Sequence, residues 1–89
     1  MNKNLYPWNG KNPKLAENVY VAPGACIIGD VEIGEKSSVF FNAVLRGDIA
    51  SIRIGERTNI QDNATIHLSS DRGVVIGNDV TIGHNAVVH

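Results

Sequence analysis

Branched aliphatic residues return at every sixth position along most of this 89-residue chain, and that period constrains the fold more than any other feature. From residue 21 they run Val21, Ile27, Ile33, Val39 and Leu45. The register slips by three residues and resumes at Ile54, Ile60 and Ile66; it slips by four across residues 69–73 and resumes at Ile76, Ile82 and Val88. A second column stands two places earlier: Ala25, Val31, Ser37, Ala43, Ile52, Thr58, Ala64, Val74, Val80 and Ala86, nearly all small or β-branched. A period of six fits neither an α-helix nor a plain alternating hairpin. It suits short strands joined by sharp turns, with the large aliphatic inward and small residues near each corner. Glycine follows the large aliphatic at Gly34, Gly55, Gly77 and Gly83, which predicts turns that need a permissive backbone there.

The pattern resembles the hexapeptide-repeat family, whose members form left-handed parallel β-helices; the resemblance covers residues 19–89. It implies an all-β fold, a left-handed parallel β-helix of hexapeptide repeats with three hexads per coil. Residues 1–18 then form an N-terminal cap segment, with Tyr6, Pro7 and Trp8 expected over the open end of the first coil. Relatives of this kind carry further coils and a C-terminal helix, so the resemblance also implies that the chain is truncated within its repeat.

Composition narrows the function. Eight Lys/Arg against nine Asp/Glu leave no basic patch, so nucleic acid is not an expected partner. The single cysteine, Cys26, excludes an internal disulfide framework and any multi-cysteine zinc site. The first ten residues hold no apolar secretory core and no apolar run reaches bilayer length, so a soluble, cytoplasmic protein with no membrane partner is expected.

Three hexads per coil place residues three hexads apart one above another, about 4.8 Å apart. Arg46, His67 and His89 each directly follow a large aliphatic (Leu45, Ile66, Val88) and lie three hexads apart, so they share one outward column. His67 and His89 on neighbouring rungs can lean together to the roughly 3.3 Å that separates two nitrogens on one tetrahedral zinc. His84 stands two places after Ile82 and falls on another face, in the column of Asp62 and beside Gln61. A three-histidine site therefore closes only between two copies of the chain, which predicts a homotrimer with three interfacial sites.

At these residues the resemblance sharpens to the γ-class carbonic anhydrases. The matching strings are Arg46-Gly47-Asp48, then Thr58-Asn59-Ile60-Gln61-Asp62 followed by His67, then Ile82-Gly83-His84 with His89 five residues on. The resemblance implies that His67, His84 and His89 bind a catalytic metal, zinc in the usual account, with iron or cobalt as alternatives. It implies a lyase whose zinc hydroxide attacks CO2 to give bicarbonate, with Gln61 and Asp62 lining the active site. It further implies that Arg46 and Asp48 form an ion pair between subunits. The connection from His67 to Ile76 carries Asp71 but no long acidic loop, like that of the short-loop homologues.

Plainer readings stand beside these. A histidine on a strand surface is usually just solvated, Arg46 and Asp48 could be an ordinary surface pair, and Gln61-Asp62-Asn63 is good turn chemistry. Three rival functions remain open as well: a hexapeptide acyltransferase with one histidine as base, a thioesterase-like protein, and a non-catalytic metal-binding trimer.

Overall fold

Each hexad makes one short strand and one corner, and the strands stack in parallel. The computed structural model describes residues 4–69 and 71–89. Its strands are β1 (Leu5–Tyr6), β2 (Lys14–Leu15), β3 (Tyr20–Val21), β4 (Cys26–Ile33), β5 (Ser38–Val39), β6 (Val44–Ile54), β7 (Asn59–Ile60), β8 (Thr65–His67), β9 (Val74–Ile76), β10 (Thr81–Ile82) and β11 (Val87–Val88). One sheet runs β3-β5-β7-β10; the other two sides of the prism merge into one bent sheet carried by the long strands β4 and β6. Tyr20 pairs with Ser38, eighteen residues on, which is three hexads. Ser38 then pairs with Asn59 and Asn59 with Thr81, so later coils are longer by the two slips in register. The first slip is visible between β4 and β6, where Gly29 pairs with Gly47 but Val31 with Ile52. The chain is thus the parallel β-helix that the period of six predicts.

The two sequence columns form the core. Ile27, Leu45 and Ile66 stack with no exposure, as do Val39 and Ile60, while Ala25, Ala43 and Ala64 fill the space near a corner. Leu68 is also buried, although it belongs to neither column. Leu5 and Leu15, from β1 and β2, pair onto β4 and pack against this core. Those two leucines cover the bottom of the solenoid, whereas Tyr6 and Trp8, expected there, are about half exposed.

Ser37 and Thr58 bring hydroxyls into this apolar interior, and each bridges to the next coil. Ser37 Oγ donates to Gly55 O at 2.7 Å and accepts the Thr58 N–H at 3.0 Å. Thr58 Oγ1 repeats the arrangement one coil up, donating to Gly77 O at 2.7 Å and accepting the Val80 N–H at 3.3 Å.

The corners correct one expectation. The left-handed backbone falls on the third residue after the aliphatic, not the first: Asn18, Lys36, Asn42, Arg57, Asn63, Asp79 and Asn85, with φ between 51° and 62°, and Gly24 at 80°. Gly34 and Gly55 are needed for close approach instead. A Cβ on Gly34 would lie 2.6 Å from Gly55 C, and one on Gly55 would lie 2.7 Å from Gly77 C.

Candidate metal and catalytic site

Two stacked corners position Gln61, Asp62 and His84. Ala64 N–H donates to Gln61 O and Ala86 N–H to Gly83 O, both at 3.2 Å, closing four-residue turns. Asn63 and Asn85 take the left-handed third position that a type II turn requires, and asparagine tolerates that conformation better than most residues. Asp62 and His84 are therefore the second residues of successive turns, and Asn85 N–H donates to Asp62 O at 3.0 Å across the rung. Their side chains face each other, His84 Nδ1 lying 3.6 Å from Asp62 Oδ1, and both are substantially exposed. Gln61 opens the lower turn and is half-buried.

The same turn recurs one coil below, where Ala43 N–H donates to Phe40 O at 3.3 Å and Asn42 has φ of 62°. Phe41 thus takes the place of Asp62 and His84, 44% exposed. Its ring meets Phe40 edge-on at 6.4 Å, and Phe40 meets Tyr20 at 6.1 Å.

A second face carries the other polar column. Ile28 pairs with Arg46 and Arg46 with His67, while Val88 pairs with Ile66 and so sets His89 above His67. The two imidazoles stack with centroids 5.6 Å apart and planes inclined by 29°. Arg46 Nη2 lies 2.5 Å from His67 Nε2. A guanidinium only donates, so Nε2 is the acceptor and the His67 ring proton sits on Nδ1. Arg46 Nε also lies 3.2 Å from Asp48 Oδ2, whose other oxygen accepts the Ile49 N–H at 2.9 Å. Beside His89 a cavity of about 260 Å³ opens, lined by Leu68, Ser69, Arg72, Gly73 and Val74.

One chain thus brings His67 to His89, and His84 to Asp62, on separate faces. Among the described residues no three His, Cys, Asp or Glu side chains converge on a point that could hold a metal. Arg46 and Asp48 pair with each other inside the chain. The Arg46–His67 contact went unanticipated, although their shared column was its signal. The donors nevertheless suit a metal: two neighbouring imidazoles, and a third whose Nδ1 faces a carboxylate, the arrangement that leaves Nε2 as the outward ligand atom.

No family model matches the chain. It is 45% identical over 85 residues to a Geobacillus kaustophilus protein named carbonic anhydrase, covering 96% of this chain and 47% of that one. It is likewise 45% identical over 85 residues to an Arabidopsis thaliana protein named gamma carbonic anhydrase 2, mitochondrial, covering 89% of this chain and 31% of the relative. Among solved structures, an Anaplasma phagocytophilum hexapeptide transferase family protein superposes with a TM-score of 0.91 at 44% identity, covering 98% of this chain and 51% of that one. The chain spans about half the length, or less, of the relatives it matches. No helix among the described residues is long and apolar enough to cross a membrane. Columns, corners and these likenesses together give the chain the parallel β-helix of the hexapeptide-repeat proteins it is similar to, and its sequence is similar to those of proteins named carbonic anhydrase, the γ-class among them.

Proposed function

We propose that this chain is the metal-binding part of a cytoplasmic γ-class carbonic anhydrase-like lyase, active as a homotrimer, that converts CO2 to bicarbonate at sites shared between two copies. The observation that carries the reading is the division of the histidines: a stacked His67–His89 pair on one face and a His84–Asp62 pair on another. Neither pair is a complete metal site, and a second copy supplies to each what it lacks. The relatives named carbonic anhydrase support the same reading.

His67 and His89 of one copy and His84 of the next would hold the metal, zinc by the preference of three imidazoles, with iron(II) or cobalt(II) as alternatives. When bound, such an ion is a Lewis acid that makes hydroxide available near neutral pH. The chain's own groups do the rest. Asp62 facing His84 Nδ1 holds that ring's orientation and can accept a proton, and the Gln61 amide beside it can orient a solvent molecule. Arg46 now donates to His67 Nε2; were His67 to hold a metal through either ring nitrogen, Nε2 would no longer offer a free lone pair and that hydrogen bond would end. Arg46 would then keep its contact with Asp48.

The test is metal content per chain by elemental analysis of size-fractionated protein, with His84→Ala as control, followed by a CO2 hydration assay. Near one zinc or iron per chain in a trimer, lost in the variant, supports the reading. A metal-free trimer overturns it and favours the acyltransferase or scaffold alternative, in keeping with the transferase-named structure of the same fold.

A further inference from the structure

We propose that Phe41 docks against a second copy of the chain, its ring covering the guanidinium face of Arg46 of the partner subunit and setting the coil-for-coil register of the trimer. The inference rests on the reading that the histidines are shared between copies.

Four stacked turns put Pro23, Phe41, Asp62 and His84 in one corner column. The opposing column is Tyr6, Ile28, Arg46, His67 and His89. Copies related by rotation about an axis parallel to the solenoid have no displacement along it, so each coil meets the same coil of its neighbour. His84 then stands level with His89, as a shared metal site needs. Two rungs lower, about 10 Å down, Phe41 stands level with Arg46. Both columns change character at that height. Below it they are apolar, with Pro23 on one and Tyr6 and Ile28 on the other; above it they are Asp62 and His84 against His67 and His89.

The two residues are prepared for this contact. Phe41 remains 44% exposed while its ring is braced by the Phe40 and Tyr20 rings behind it. Arg46 keeps one guanidinium edge on Asp48 when His67 is given over to a metal, and its side chain is 46% exposed. An aromatic ring laid on the guanidinium face takes nothing from that edge contact, and stacking on aromatic faces is a favoured mode for arginine.

The test is the trimer dissociation constant by sedimentation equilibrium of zinc-loaded protein, with circular dichroism to confirm that each variant keeps its fold. Phe41→Trp is expected to assemble at least as tightly as wild type. Phe41→Leu, apolar but without a ring face, should weaken assembly about fivefold. Phe41→Lys, which sets like charge against Arg46, should weaken it more than tenfold. Val75→Lys changes an equally apolar, 81% exposed residue on another face and should leave assembly unchanged. A wild-type zinc trimer whose Phe41→Leu and Phe41→Lys variants assemble normally, or whose Val75→Lys variant dissociates as readily as Phe41→Lys, overturns this inference and leaves the proposed function standing. A wild-type chain that neither trimerises nor takes up zinc overturns both.

Discussion

Ser37→Ala removes a single oxygen from the middle of the stack, and the cost follows from what that oxygen serves. Ser37 is 2% exposed, and its hydroxyl both donates to Gly55 O at 2.7 Å and accepts the Thr58 N–H at 3.0 Å. Replacing it with a methyl group leaves one backbone acceptor and one backbone donor facing carbon. Each buried polar group stripped of its partner costs about 1–3 kcal/mol, and the hydroxyl's own desolvation is recovered in part. The net expectation is about 2–4 kcal/mol of destabilisation. Ser38→Ala is the internal comparison, because its hydroxyl accepts one bond from Asn59 Nδ2 at 2.8 Å on the half-buried outer side. Water can replace that partner, so about 1 kcal/mol or less is expected. Urea unfolding at one fixed protein concentration measures both, and an unchanged denaturant slope keeps the comparison between native states. A Ser37→Ala variant within about 0.5 kcal/mol of Ser38→Ala would refute the idea that the interior hydroxyl secures one coil to the next.

Gly55→Ala should destabilise by about 1–3 kcal/mol in the same assay, because its Cβ would lie 2.7 Å from Gly77 C, whereas Gly83→Ala, with nothing within 4 Å of the new Cβ, should be nearly neutral. Asp79 accepts a two-pronged contact from Arg57 at 2.8 and 3.1 Å, which holds its carboxyl below the usual carboxylate range; NMR titration should show that pKa rising in Arg57→Ala. A carboxyl depressed in the folded state adds stability above its unfolded pKa and loses it as pH falls through the lower folded value, so the wild-type advantage over Arg57→Ala should fade in acid. Asp62→Asn keeps the size of the side chain facing His84 Nδ1 but removes its charge, and it should weaken zinc binding about 10–100-fold in a chelator competition while His84→Ala abolishes stoichiometric uptake.

The core was legible because burial repeats with the chain: Ile27, Leu45 and Ile66 are wholly buried, and a single slipped residue would have turned every later aliphatic outward. Even the first slip of three is reproduced, in the change from Gly29–Gly47 to Val31–Ile52 pairing. The corners were misread because local propensity is overruled there. Lys36 and Arg57 accept a left-handed backbone that their side chains do not favour, and the coil below helps hold them in it, Lys36 N–H on Glu17 O and Arg57 N–H on Glu35 O. At the site, counting hexads sufficed to stack His67 under His89 and Asp62 under His84, since both are relations within a column. The direction taken by Arg46 could not be counted in this way. Its long side chain has many rotamers, and the choice is made by Asp48 and His67, two neighbours in different directions. The same distinction bears on the proposed trimer. A six-residue period specifies what stacks on what inside one prism, and contacts between prisms would enter the sequence only as columns that change character at the same height. In that trimer Phe41 level with Arg46 and His84 level with His89 would be two such coincidences, two rungs apart, so an assembly that satisfied one would satisfy the other.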